Sequence, residues 1–257
     1  MRLRSNFGAV ETQQQQARQH DVVRAVMGAC GGYATLGYLY QTVVRTPQWQ
    51  SESKTPFASI RRIVQDGRFF FKIRPGLWGL KEQQDAISRQ LALSPFVAPE
   101  KVEEYDHAYY QGLLVELGNL RRYATCIDYH DKNRLFLSKR LSEVATLGKC
   151  YPFTYDHLLR KARTVDVSWF NPRQLPHAFF EVEHTTGIYN SLLKFWDFQD
   201  FRIQFYIVAD AARKQEFQGK LQSAVFDPIR DNLKFLDYET VARQHSLAFE
   251  LAASEQI

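Results

Sequence analysis

Apolar positions recur at two spacings along this chain, and the elements they predict fall into two groups. In the first, Asp21 to Met27 has the three-to-four spacing of a helix, with Asp21 placed as an N-cap. Gly31-Gly32 breaks it. Ala34 to Val44 predicts a second helix, with Leu36, Leu39, Tyr40 and Val43 along one face. Thr55-Pro56 opens a third, Thr as cap and Pro in the first turn, carrying Ile60, Ile63 and Val64. Phe69 to Ile73 and Leu77 to Leu80 then read as short strands joined by an Arg74-Pro75-Gly76 turn.

Glu82 to Leu93 reads as a polar helix, and Pro95 and Pro99 after it mark a boundary. The expected organisation is a first domain over residues 1–93, a linker over 94–104 and a second domain over 105–257. The second domain opens with a helix from Tyr105 to Leu120, followed by a β-prone stretch from Ala124 to Tyr129. Arg134 to Thr146 and Tyr155 to Lys161 predict helices. Arg163 to Phe170 and Ala178 to His184 predict strands separated by the loop Asn171 to His177. A helix through Leu192 and Phe195, a strand from Arg202 to Ala209, a helix from Ala211 to Leu221 and a strand from Leu233 to Leu236 complete the series. Such alternation predicts an α/β fold, a mixed central sheet flanked by helices.

A hydrophobic share of 45% suits a packed core and argues against wholesale disorder. No apolar run approaches the roughly 20 residues that cross a bilayer, and the N-terminus lacks the apolar stretch of a signal peptide, so a cytoplasmic protein is expected. The tract Gln13 to Gln16 reads as a polar lead-in. Cys30, Cys126 and Cys150 are odd in number and widely spaced, which predicts reduced, core-like cysteines and no zinc site.

The net charge of +5 is unevenly placed. Residues 1–100 hold 13 Lys and Arg against 7 Asp and Glu; residues 101–257 hold 20 against 21. A basic module joined to a neutral one suggests a polyanion-binding part beside a part with another task. Three helices and a β-hairpin is the order of a winged helix-turn-helix. The stretch Thr55-Pro56, Ile60-Arg61, Phe69-Phe70 and Pro75-Gly76-Leu77-Trp78-Gly79-Leu80 resembles the HARE-HTH domain, a winged-helix family found in chromatin proteins and fused to restriction endonucleases. That resemblance implies DNA binding and raises sensitivity to DNA modification. In such a fold the third helix enters the major groove, so Ser59, Arg61 and Arg62 are candidate contacts, and Lys72 and Arg74 flank the turn of the wing where phosphates lie. The plainer alternative is that these cations solvate a helix face. Trp78 is expected to pack the wing against the helices.

Side chains alternate along a strand. Glu181 and Glu183 therefore share one face of their strand, with Phe180 and Val182 on the other. In the preceding strand Asp166 and Ser168 point opposite to Val165, Val167 and Trp169. Pairing the two strands brings Asp166 beside Glu181 and Glu183. Three carboxylates on one face repel one another unless a cation bridges them, and Mg²⁺ suits oxygen donors. The competing explanation is an amphipathic hairpin whose acids face water.

Asp166 followed by Glu181-Val182-Glu183 resembles the PD-(D/E)XK nuclease superfamily, in the variant with Glu as the last motif residue; the likeness covers roughly residues 105–240. It implies a restriction-endonuclease-like fold in which Asp166, Glu181 and Glu183 hold Mg²⁺. It also implies a helical acid at Glu116 as a further ligand, and products with 5′-phosphates. Position 183 departs from the usual lysine, and Lys194 on the following helix is a candidate replacement. His184, pointing away from the acids, is read as structural or as a DNA contact, and Thr185 and Thr186 as caps of that helix.

These readings converge on a Mg²⁺-dependent endonuclease for double-stranded DNA, of restriction or related defence type, with Asp166, Glu181, Glu183 and Lys194 as its catalytic residues. A homodimer would let it cut both strands. Two alternatives stand beside it: a DNA-binding regulator whose nuclease fold is degenerate, and a nuclease acting on RNA.

Overall fold

A computed structural model describes residues 18–49, 55–91, 99–185 and 187–255. The glutamine tract, Thr186 and residues 94–98 of the expected linker lie outside the described residues. The first module runs α1 (Gln19–Ala29), β1 (Tyr33–Thr35), α2 (Leu36–Val43), α3 (Pro56–Val64), β2 (Phe70–Arg74), β3 (Leu77–Leu80) and α4 (Gln84–Gln90). Its strands form an antiparallel sheet of order β1-β3-β2. β1 is an element that the apolar spacing missed. Ala34 and Thr35, expected inside the second helix, pair with Trp78 and Leu77 instead, and the Thr35 hydroxyl caps α2 by accepting from Tyr38 N. Trp78 packs at the edge of the module's core, as expected.

The second module runs α5 (Pro99–Leu120), β4 (Ala124–Ile127), β5 (Leu135–Phe136), β6 (Lys139–Arg140), α6 (Leu141–Val144), α7 (Asp156–Ala162), β7 (Val167–Phe170) and β8 (Pro176–Glu183), then α8 (Ile188–Trp196), β9 (Gln204–Ala209), α9 (Lys214–Leu221), β10 (Leu233–Asp237) and α10 (Tyr238–Ser254). Residues 99–104 are thus already helix rather than linker. The five-stranded sheet has the order β10-β9-β8-β7-β4, with β8 parallel to β9 and antiparallel to β7. The fold is mixed α/β, its sheet covered on both faces.

One face, carrying Val167, Trp169, Phe180 and Val182, packs under α5 and α10; the other, carrying Phe179, Phe205 and Ile207, packs under α8. Val165 belongs to the second face, not with Val167 and Trp169 as alternation predicts, because the strand begins only at Val167. The helix expected over Arg134 to Thr146 is instead the β5–β6 hairpin followed by a single turn. Phe136 in that hairpin packs so close to α5 that a Cβ on Gly112 would sit 2.1 Å from its ring.

α10 had no counterpart among the expected elements, and it binds the modules together. Phe249 and Ala253 complete the core of the first module, while Val241 and Ala242 join the core under the sheet. Gly37 admits this contact: a Cβ there would lie 2.5 Å from the Phe249 ring. The structure also contains a disulfide between Cys126 and Cys150, correcting the expectation of three reduced cysteines. Their separation of 24 residues gives no spacing signal. The pair meets because the loop folds back on β4, where Leu147 N donates to Thr125 O at 3.0 Å.

Candidate active site

The central strand β8 delivers two acids to one end of the sheet. Phe180 and Val182 face α5, so Glu181 and Glu183 face α8, as alternation requires. Both are buried, at 4% and 5% exposure, and Asp166, just before β7, is 8% exposed. Three carboxylates this deep need partners. Asp166 Oδ2 accepts from Val182 N at 2.7 Å, which ties it across the strand pair to the peptide between the two glutamates.

Helix α8 answers the acids. Its residues at helical spacing, Ser191 and Lys194, point at the strand while Leu192 and Phe195 anchor the helix in the core. The Ser191 hydroxyl donates to Glu183 Oε1 and lies 3.4 Å from Glu181 Oε2. Lys194 Nζ donates to both oxygens of Glu181, at 2.8 and 2.7 Å, and to Thr164 O at 2.8 Å. Burial pushes the Glu181 carboxyl well above its usual range, and the charge of Asp166 adds to that; Lys194 opposes both.

Two residues that the sequence reading overlooked join this end of the sheet. His107, on α5, places Nε2 3.4 Å from Asp166 Oδ1 and 3.4 Å from Asp131 Oδ2. Asp131 ends the short 3₁₀ turn Tyr129–Asp131 that follows β4, is itself buried, and accepts from Gln111 Nε2 at 2.6 Å and from Arg134 Nε at 2.9 Å. Burial by itself would lower the His107 pKa, but the neighbouring carboxylates of Asp131 and Asp166 prevail and push it up to about 10. His107 and Gln111 are one turn apart on α5, a helical pairing hidden by the aromatics between them.

Glu116 is not brought to this centre. It lies nine residues beyond His107 on α5, about 13 Å along the axis, and its Oε2 meets His245 Nε2 of α10 at 2.7 Å. His184 lies among His107, Tyr110 and Tyr238, with Nδ1 2.8 Å from the Tyr238 hydroxyl. Burial, then the neighbouring His107, depresses its pKa to about 4. Thr185 does not cap α8; its hydroxyl donates to Glu103 at 3.1 Å, and Gly187 stands at the cap.

Three of the basic residues expected to meet DNA turn towards the second module. Arg61 bonds the Tyr40 hydroxyl at 3.1 Å and Glu250 of α10 at 3.2 Å; Lys72 reaches Glu239 of α10 at 2.5 Å. Arg74 is buried at 8% exposure, bonded to Asp106 of α5 and stacked over Tyr105. A role on phosphates does not suit a side chain held inside the junction, and this corrects the expectation for Arg74. The Ser59 hydroxyl points back to Thr55 O at 3.4 Å, and Arg62 is exposed.

As a donor set, Asp166, Glu181, Glu183 and the Val182 peptide offer only oxygen, which fits a hard divalent cation. His107, Asp131 and Asp166 present three ligand atoms within 4.8 Å of one another. No helix of the described residues is long and apolar enough to cross a membrane. No curated protein and no solved structure matches the chain. Residues 94–253, which contain every acid of this centre, match the family described as the Type II restriction enzyme NmeDI C-terminal domain. The match takes in more than half of the chain, and the chain belongs to this restriction-enzyme family.

Proposed function

We propose that the protein is a Mg²⁺-dependent endonuclease that hydrolyses phosphodiester bonds of double-stranded DNA as part of restriction-modification or related defence. The observation that carries this reading is the convergence of Asp166, Glu181 and Lys194 at one end of the sheet, two buried acids with a lysine supplied by the next helix. Asp166, Glu181 and the Val182 carbonyl are the residues that would hold Mg²⁺. The ion, when bound, polarises the scissile phosphate and lowers the pKa of an attacking water.

The chain's own groups do the rest. Val182 N keeps Asp166 oriented, and Ser191 bridges Glu183 towards Glu181. Glu183 is the carboxylate available to take the proton of the water or to complete the ion's shell. Lys194, tethered to Glu181, supplies the positive charge that the PD-(D/E)XK pattern places at position 183. Its presence supports an active enzyme over a regulator with a degenerate site.

The first module is proposed to grip the DNA. Its order, helix–strand–helix–helix–strand–strand with a three-stranded sheet, supports the winged-helix reading. Arg62 and Ser59 on α3, with Arg61 and Lys72, are its proposed contacts. A homodimer would place two centres for the two strands. The test is digestion of duplex DNA, with and without base modification, by the purified protein in Mg²⁺. Cleavage that disappears in Asp166→Ala and Glu181→Ala supports the reading. Binding without cleavage across varied and modified DNAs overturns it, and cleavage of RNA in place of DNA would transfer it to the other substrate.

A further inference from the structure

His107, Asp131 and Asp166 come from three separate elements, yet their arrangement makes a poor hydrogen-bonded cluster. One imidazole nitrogen faces two carboxylate oxygens, each at 3.4 Å. A charge-assisted N–H···O bond closes to about 2.7–2.9 Å. One N–H cannot serve both oxygens well. A cation inside the triangle can, since a transition ion sits about 2.0–2.2 Å from nitrogen and oxygen ligands, and all three ligand atoms lie within 4.8 Å of one another.

The surroundings are those of a ligand set. Asp166 commits Oδ2 to Val182 N and leaves Oδ1 to the triangle. Asp131 is held by Gln111 and Arg134, the outer bonds that orient a metal-binding carboxylate. Gln111 supplies an independent sign. It is wholly buried, its Nε2 holds Asp131, and its Oε1 has no partner among the described residues. A buried acceptor of this kind needs a donor, and a water on a bound cation is such a donor. Nε2 of His184, whose ring lies 6.0 Å from that of His107, is likewise buried and unpartnered among the described residues.

We propose that His107, Asp131 and Asp166 form a second cation site, selective for a first-row transition ion such as Mn²⁺ over Mg²⁺. Mixed imidazole and carboxylate ligation favours that selectivity, because Mg²⁺ prefers oxygen alone. The site rests on the nuclease reading only in that Asp166 would bridge it to the Asp166–Glu181 centre. The DNA-free measurement keeps the two ideas apart.

The experiment uses the full chain, stripped with a chelator and titrated with Mn²⁺ without DNA. Free Mn²⁺ is followed by electron paramagnetic resonance, and pulsed spectra report nitrogen bound to the ion. The wild type is expected to bind Mn²⁺ with a clear imidazole ¹⁴N coupling that a tenfold excess of Mg²⁺ does not remove. His107→Gln should lose the coupling and weaken binding at least tenfold. Asp131→Asn should weaken binding similarly but keep the coupling in the ion that remains, and Glu181→Gln should retain the coupling. Absence of nitrogen coupling in the wild type overturns the proposal whatever the variants do. So does coupling that survives His107→Gln, or coupling lost in Glu181→Gln. A chain that passes this test yet never cuts DNA would keep the site and lose the nuclease reading.

Discussion

Lys194 on α8 holds both carboxylate oxygens of Glu181 on β8, across thirteen positions of sequence. The contact exists because Glu181 faces α8 and because Ser191 and Lys194, three apart, share the helix face turned to the strand. A lysine in this place can stabilise charge at an attacked phosphate without standing in the strand itself. Lys194→Met is therefore expected to lower kcat by about 10²–10³-fold, the usual loss when one electrostatic donor is removed from an active site. Lys194→Arg should recover part of it by keeping the charge. Single-turnover cleavage with Mg²⁺ saturating, set beside DNA affinity, checks this; an affinity loss that accounts for the whole effect would assign Lys194 to binding instead.

Which parts of this centre were legible follows from how each residue is presented. Glu181 and Glu183 could be read because a strand's period of two places them on one face beside Phe180 and Val182. Lys194 was visible as the nearest cation on the next helix. His107 and Asp131 were not, since one sits among aromatics on a long helix and the other in a 3₁₀ turn, and only tertiary folding brings them to Asp166. Glu116 was misplaced for the same reason: helical position cannot say which turn of α5 passes over the end of the sheet. Arg61 and Lys72 looked like a free surface because α10, which offers Glu250 and Glu239, was not anticipated, and Arg74 because spacing gives no sign that it meets Asp106 of α5.

The junction of the modules should respond unequally to its ion pairs. Arg74 and Asp106 meet where the arginine is buried, and removing the arginine loses the ion pair together with its packing over Tyr105. Arg74→Ala is expected to cost about 3 kcal/mol of unfolding free energy. Lys72→Ala, which breaks a pair whose members are 45% and 68% exposed, should cost less than about 1 kcal/mol. Urea unfolding of both variants measures the contrast. Equal small losses would show that the junction does not depend on Arg74.

Cys30 is the free thiol among the described cysteines, and burial raises its pKa above the ordinary value. A raised pKa means less thiolate at any pH below it, so the native chain should alkylate more slowly than the unfolded chain near pH 8, with the gap closing as pH rises. Mass spectrometry after labelling without reductant should find one labelled cysteine when unfolded, because Cys126 and Cys150 are paired. Three labels would mean that the pair is reduced in the protein as purified.

The acids of α10 should compete with DNA for the first module's cations. Arg61 is held by Glu250 and Lys72 by Glu239, so these two cations must exchange partners if they are to meet phosphates. Glu239→Gln and Glu250→Gln are each expected to tighten DNA binding several-fold at low salt, a gain of about 1 kcal/mol or less for an exposed pair. Arg62, exposed beside them, shows no such tie among the described residues; Arg62→Ala should weaken binding and reduce the salt slope by about one. Arg74→Ala should leave the slope unchanged, because its charge is spent on Asp106. Binding isotherms at several salt concentrations separate these outcomes. Slopes that ignore Arg62 and affinities that ignore both glutamates would move the DNA-binding surface away from α3 and the wing.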